Sequence, residues 1–206
     1  MKRLSTFFNL FHRPKFSALV VFLAALMLYT ATLAPGLLWG GGDFASFQTF
    51  AFLGKASSDN LGIFGHPLWP ILAHPFTWLP IRDVAWRANF ATAVFAALAL
   101  AFVFLSAWHL TRSTLASFLA IGTLAVSHTF WTYAVMPKVY SLNALLLAVC
   151  IYLLLLWREK ARDRYLYACA FLFGFSFLNH IVIITTAAGL AAFIGLELWL
   201  QSPFSP

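Results

Sequence analysis

Acidic residues are scarce in this chain, six in 206, and one of them stands where a carboxylate could do chemistry. Asp43 directly follows Gly40-Gly41-Gly42. It could serve as a general base that takes the proton from an attacking hydroxyl. It could equally serve as the N-cap of a helix beginning at Phe44, and one carboxylate can do both. Arg82, Arg87 and Lys138 are cations to set against it. A departing phosphate would need such charges, although headgroup contact explains them as well, and Arg87 has an i, i+4 partner in Asp83. His128 with Thr129, Thr132 and Tyr133, then Asn143 and Asn179-His180, add uncharged polar groups that either line a cavity or bond one helix to another. His66 and His74 are eight residues apart with no Cys or paired carboxylate nearby. That is not a zinc spacing, and no metal site is expected. The glycine run lacks the Lys-Ser/Thr of a phosphate-binding loop, and no cofactor is implied.

The elements that must position these groups follow from composition. The chain is 62% hydrophobic, 18% aromatic and 9% charged. Ordinary soluble domains are about 45–50% apolar and about 25% charged. Too few polar residues remain to coat a water-facing surface, and several apolar runs approach the roughly 20 residues that cross a bilayer. The formal charge of +7 is explained by where the cations lie rather than by nucleic acid. With the N-terminus inside, Lys2, Arg3, Arg13, Lys15, Arg112, Arg158, Lys160, Arg162 and Arg164 all fall in cytoplasmic segments. Only Lys55, Arg82, Arg87 and Lys138 fall outside. That bias orients inserted helices. Cys150 and Cys169 lie within apolar runs and read as buried thiols.

Six spans are expected, at about residues 16–34, 91–110, 113–135, 142–157, 165–178 and 181–200. The first resembles a signal peptide in its basic lead. It continues for a full span, however, and Pro35 follows the small residues where a cut would fall, so it reads as an uncleaved helix. Residues 1–15 are then a cytoplasmic N-terminus. Residues 39–90 form a long outer loop, with a short aromatic helix after Asp43 and a segment at 66–80 rich in Pro and Trp. Such spacing suits short helices lying in the membrane interface, and loops of this length are usually functional.

In order along the chain stand Tyr29-Thr-Ala-Thr-Leu-Ala-Pro35, Asp43, Gly65-His-Pro67, Arg87-Ala-Asn89, Thr129-Phe-Trp131, Val139-Tyr-Ser-Leu-Asn143 and Asn179-His180. Together these resemble the transmembrane protein 260-type family, glycosyltransferase family 117 of the GT-C superfamily. The resemblance implies an all-α, polytopic helical bundle whose site faces away from the cytoplasm. It implies a polyprenyl-phosphate-linked sugar as donor and a hydroxyl acceptor, protein O-mannosylation being the reaction of eukaryotic members. Asp43 takes the place of the acid in the first outer loop. His66, Arg87, Asn89, Lys138, Tyr140, Asn143 and His180 fall on the family's other motif positions and are assigned to substrate binding. The chain departs from the pattern at three places. Ser46 and Lys138 stand where acids are common, and His66-Pro-Leu-Trp69 replaces His-Pro-Pro-Gly.

The expectation is thus a single transmembrane domain over 1–206, the N-terminal part of a longer protein, placed in a bacterial inner membrane. Its reading is that of an inverting glycosyltransferase, with the lipid bilayer, the lipid-linked donor and the acceptor as partners and no nucleic acid. The alternative is a non-catalytic membrane protein that keeps the lipid-phosphate groove for binding or scaffolding. A transporter is disfavoured, since no unpaired charge lies deep in a span.

Overall fold

A computed structural model describes residues 13–38, 43–55 and 66–200. The expected N-terminal basic lead up to residue 12, the glycine run Gly40-Gly41-Gly42 and the loop at 56–60 lie outside these residues. Every regular element among the described residues is helical. We label them α1 (Pro14–Ala31), α2 (Phe44–Leu53), α3 (Leu68–Ala73), α4 (Val84–Thr111), α5 (Thr114–Ala125), α6 (His128–Ala134), α7 (Val139–Lys160), α8 (Arg164–Ser176) and α9 (Ala187–Leu200). Two 3-10 turns join them, His74–Trp78 after α3 and Ile181–Thr186 before α9.

The bundle is organised around α4 and α7, which pack along one another while α1 and α5 cover α4 and α8 covers α7. The sequence of α4 explains its central place. Asp83 accepts a hydrogen bond from the Trp86 N–H at 2.9 Å and starts the helix seven residues before the expected boundary at 91. Ala88, Ala91, Ala93, Ala96, Ala97 and Ala99 are all buried along it. Small side chains let helix backbones approach closely, which is how helices associate where lipid removes the hydrophobic drive. Spacing alone pairs the Asp83 carboxylate with Arg87. Instead it caps the helix, and Arg87 Nε donates to the Asp83 backbone carbonyl at 3.2 Å.

Among the described residues, four helical segments are long and apolar enough to cross a membrane: Pro14–Ala31, Val84–Thr111, Val139–Lys160 and Ile181–Leu200. A fifth crossing would be the pair α5 and α6, bent by 72°. The third expected span, 113–135, is therefore broken. The break falls at Val126 and Ser127, where a β-branched residue precedes a serine whose Oγ bonds the Leu124 carbonyl at 2.8 Å. A side chain bonded into the helical ladder is a usual cause of a kink. The Ala125 carbonyl, freed by the break, accepts from the Tyr29 hydroxyl at 2.9 Å, and Tyr29 is fully buried. The fifth expected span, 165–178, is α8, whose 13 residues reach about 20 Å. That is short of the roughly 30 Å hydrocarbon core. Many large apolar side chains face outward, among them Leu19, Leu23 and Met27 on α1 and Phe171 on α8. In lipid these are the covered faces. The molecule is an all-α, multi-pass helical bundle.

Candidate active site

Asp43 immediately precedes α2 and occupies its N-cap position, but its side chain makes no capping bond. Its Oδ1 is instead bonded to the Lys138 Nζ, at the start of α7. Lys138, expected among the outer cations, thus has its charge set against that of Asp43. Both are withdrawn from water, Lys138 with 15% and Asp43 with 33% of the side chain exposed. Lys138 Nζ also lies 4.6 Å above the Phe44 ring. Burial pulls the lysine's pKa below the ordinary range even with the carboxylate beside it.

Asp43 is placed by amides that sequence reasoning does not single out together. Asn89, fully buried on α4, donates through Nδ2 to the carbonyls of Ala34 at 3.0 Å and Gly36 at 3.2 Å. Its Oδ1 accepts from Gln48 Nε2 at 2.7 Å. Gln48 also donates to the Gly36 carbonyl and accepts from the Leu38 N–H. The end of α1's connection, α2 and α4 are thereby fastened at one point, five residues from Asp43. Sequence reasoning misses Gln48, whose only signal is being the lone amide in the aromatic run of α2. Asn89 is thus engaged with protein on both ends of its amide.

Arg87 is likewise engaged. Its Nη1 donates to the carbonyls of Thr77 and Leu79, the latter at 2.8 Å, and its Nε to that of Asp83. These bonds strap the proline-rich segment to α4. Through these bonds the guanidinium positions this loop.

A second group of residues meets where the chain re-enters before α9. His66 Nδ1 is 2.7 Å from the Asn179 carbonyl, so this nitrogen carries the proton. The ring stacks on His180 with centroids 4.6 Å apart and planes 12° from parallel. His180 Nδ1 accepts from the Val182 N–H at 3.0 Å, so its proton sits on Nε2. The two rings thus use Nδ1 in opposite ways, His66 as a donor and His180 as an acceptor. Burial first, and then the neighbouring His66, lowers the His180 pKa. Tyr140 stands against both sides, 5.7 Å from the His180 ring and 4.5 Å from that of Tyr133. Beneath them Asn179 is fully buried and donates through Nδ2 to the Val139 carbonyl at 3.0 Å and to Asn143 Oδ1 at 3.4 Å. The Leu68 N–H meets the Leu178 carbonyl at 3.0 Å and ties the α3 segment to the same place.

The two groups are neighbours through α2, where Phe44 lies under Lys138 and Phe47 packs 6.1 Å from the His66 ring. Lys138 and Tyr140 are two residues apart at the start of α7. Chemically the place offers one carboxylate, one ammonium and two stacked imidazoles. The break between α5 and α6 opens a cavity of about 220 Å³ beside them, lined by Ser127, Thr129, Tyr133, Tyr140 and Ser141 among apolar residues. Of the polar cluster expected around His128, Thr129 and Tyr133 line this cavity and His128 does not. His74 is set apart, bonded through Nδ1 to the Ala51 carbonyl at 2.7 Å and packed on Trp78.

The family described as the protein O-mannosyl-transferase TMEM260 N-terminal domain matches residues 62–199. These include every assigned site residue except Asp43. A mouse relative named protein O-mannosyl-transferase TMEM260 is 30% identical over 173 residues, covering 81% of this chain. The chain spans 24% of that relative's length. No solved structure matches. The ordered motifs, the helical bundle and the match over most of the chain lead to one conclusion: this chain belongs to the TMEM260 N-terminal domain family.

Proposed function

We propose that the chain forms the membrane-embedded part of a glycosyltransferase of GT-C type. It transfers a sugar, mannose in the first instance, from a polyprenyl phosphate to a hydroxyl acceptor such as a protein Ser or Thr, on the non-cytoplasmic face. The observation that carries this reading is the Asp43–Lys138 pair, a carboxylate and an ammonium held together near the stacked rings of His66 and His180. The family match supports it, as does the name of the mouse relative. The basic residues gathered in the 158–164 loop favour a cytoplasmic location for that end, and hence an outer one for Asp43.

In this reading the ion pair is the resting state. The donor phosphate draws Lys138 away from Asp43, which leaves the carboxylate able to accept a proton. The acceptor oxygen attacks the anomeric carbon from the face opposite the phosphate. A carbon–oxygen bond to the acceptor forms as the bond to phosphate breaks, configuration inverts, and the phosphate leaves with the electron pair against Lys138 and the His180 Nε2–H. Asp43 holds the acceptor's proton at the end. Asn89 and Arg87 position rather than touch substrate.

The same ion pair favours one other reading, in which Lys138 permanently neutralises Asp43 and the place only binds a lipid phosphate. Release of radiolabelled mannose from a polyprenyl-phosphate donor onto an acceptor peptide separates the two. Transfer that disappears in Asp43→Asn supports the enzyme; lipid binding without transfer in the unaltered protein overturns it.

A further inference from the structure

At the other end of α7, twenty residues and about 30 Å from Lys138, lies a second polar place that the proposed reaction does not use. The last turns of α4 and α7 enclose a cavity of about 250 Å³ lined by His109, Leu110, Arg112, Leu155, Arg158 and Glu159. Ligand pockets for whole small molecules run from about 300 Å³ upward, so this one suits a headgroup fragment.

Its two arginines are aimed by protein contacts. Arg112 closes α4 in the left-handed conformation, φ 54°, which a non-glycine residue adopts only at a cost. Its guanidinium lies 4.9 Å over the Trp108 ring, and Nη2 bonds Glu159 Oε1 at 2.9 Å. Arg158 is held through Nε by Glu197 of α9 at 3.1 Å, and Glu197 is buried. Glu159 is shared, its other oxygen lying 2.7 Å from His109 Nδ1. Around this end stand Arg112, Arg158, Lys160, Arg162 and Arg164 against Glu159, Asp163 and Glu197, so positive charge is in excess. Lys160 and Arg164 lie against the Tyr165 ring. Arg112 and Arg158 are the cations that reach the cavity.

The walls name the ligand's other half. Leu155 lines the cavity, and Leu110, 60% exposed, stands next to Arg112 at 53%. A free phosphate would have no use for leucines at the mouth. A phosphodiester with acyl chains would set its anion on the guanidiniums and its first methylenes on Leu110. Basic pockets between membrane helices are known to hold anionic headgroups in this way. We propose that the ends of α4 and α7 form a binding site for the phosphate of an anionic phospholipid, separate from the Asp43 site.

The test uses the purified chain in neutral detergent, titrated with phosphatidylglycerol or phosphatidylcholine and read by native mass spectrometry. Phosphatidylglycerol should bind about tenfold more tightly, the scale expected for one to two basic side chains near a lipid surface. Arg112→Gln with Arg158→Gln should remove that preference, and Arg162→Gln, outside the cavity, should leave it. Glu159→Gln keeps both arginines while removing the competing carboxylate, and it should strengthen binding. Equal affinity for the two lipids overturns the proposal. So does a preference that persists in the double variant, or an unchanged affinity in Glu159→Gln should the double variant not fold. Millimolar inorganic phosphate should not displace the lipid; displacement would make this a free-anion site and refute the assignment to lipid.

Discussion

Replacing Asp43 by asparagine should move donor binding and sugar transfer in opposite directions. The carboxylate and the Lys138 ammonium are joined in the resting protein, so an incoming phosphate must compete for the lysine. Exposed ion pairs are worth about 0.2–1 kcal/mol, and breaking a buried one costs about 3–5 kcal/mol. With 15% and 33% of the two side chains exposed, the pair falls between, at about 1–2 kcal/mol. The Asp43→Asn change keeps the side chain's shape while giving up its charge, so a polyprenyl phosphate should bind about 5- to 30-fold more tightly. Transfer should nevertheless fall at least about a hundredfold, because an amide cannot take the acceptor's proton. Lys138→Glu provides the converse, weakening donor binding by at least about tenfold. Binding can be read by equilibrium partition of a labelled polyprenyl phosphate into reconstituted protein, and transfer by counting label on an acceptor peptide. Unchanged or weaker donor binding in Asp43→Asn would refute the competition. Transfer that survives would remove Asp43 from the base's role and leave it a partner of Lys138 alone.

Three further outcomes are expected. Single cysteines introduced in place of Ser57 and Arg162 should label from opposite sides of the membrane; labelling of both from one side would undo the topology on which the outer location of Asp43 rests. Asn89→Ala removes an amide with three partners and deprives the Ala34 carbonyl and the Gln48 amide of theirs, so detergent-solubilised protein should lose about 2–3 kcal/mol of stability, read from its thermal midpoint, whereas loss within error would show the clasp to be incidental. The lowered folded pKa of His180 means that the unfolded chain binds more protons between that value and the ordinary 6.5; stability should therefore rise with pH across this window and fall on acidification from 6.5, and His180→Asn, which keeps an acceptor for the Val182 N–H, should flatten that part of the pH profile if His180 causes it.

The long apolar runs are legible because a bilayer asks for length and composition, and α1, α4 and α7 supply both. The break in the third span is not. Hydropathy averages over Val126 and Ser127, while the kink comes from a hydroxyl bonded back to Leu124 and from Tyr29, 96 residues away, which supplies the donor for the Ala125 carbonyl. The short α8 is overdrawn for a related reason, since the aromatic residues that extend its apolar run do not extend its helix past Ser176. Asp43, Lys138, His66, Tyr140, Asn143 and His180 each stand out by type and motif, and the fold joins them in two groups, Asp43 with Lys138 and the others around His180 and Asn179. Their pairings are not readable, because Asp43 and Lys138 are 95 positions apart and His66 and Asn179 are 113. Arg87 reads as a phosphate ligand or a partner of the Asp83 carboxylate, because sequence does not reveal how many carbonyls a proline-rich turn will leave unpaired. Thr77 and Leu79 leave two, and the guanidinium takes both.

Apart from the Arg87 strap, amides hold this place together, and the choice follows from the medium. The described segments between α1 and α4 must be fixed against α4 and α7 close to lipid, where an unpaired charge is expensive and a buried carbonyl without a donor costs about 1–3 kcal/mol. An amide offers two donors and an acceptor with no charge to desolvate. Asn89 with Gln48 fastens the entrance of the loop to α4, and Asn179 with Asn143 fastens the start of α7 to the chain before α9. The carboxylate and ammonium can then be reserved for the one position where the proposed chemistry needs charge. Changing either amide pair to a charged pair would restore the bonds but place a second ion pair near Asp43, and the donor phosphate would then have two cations to choose between instead of being drawn to Lys138.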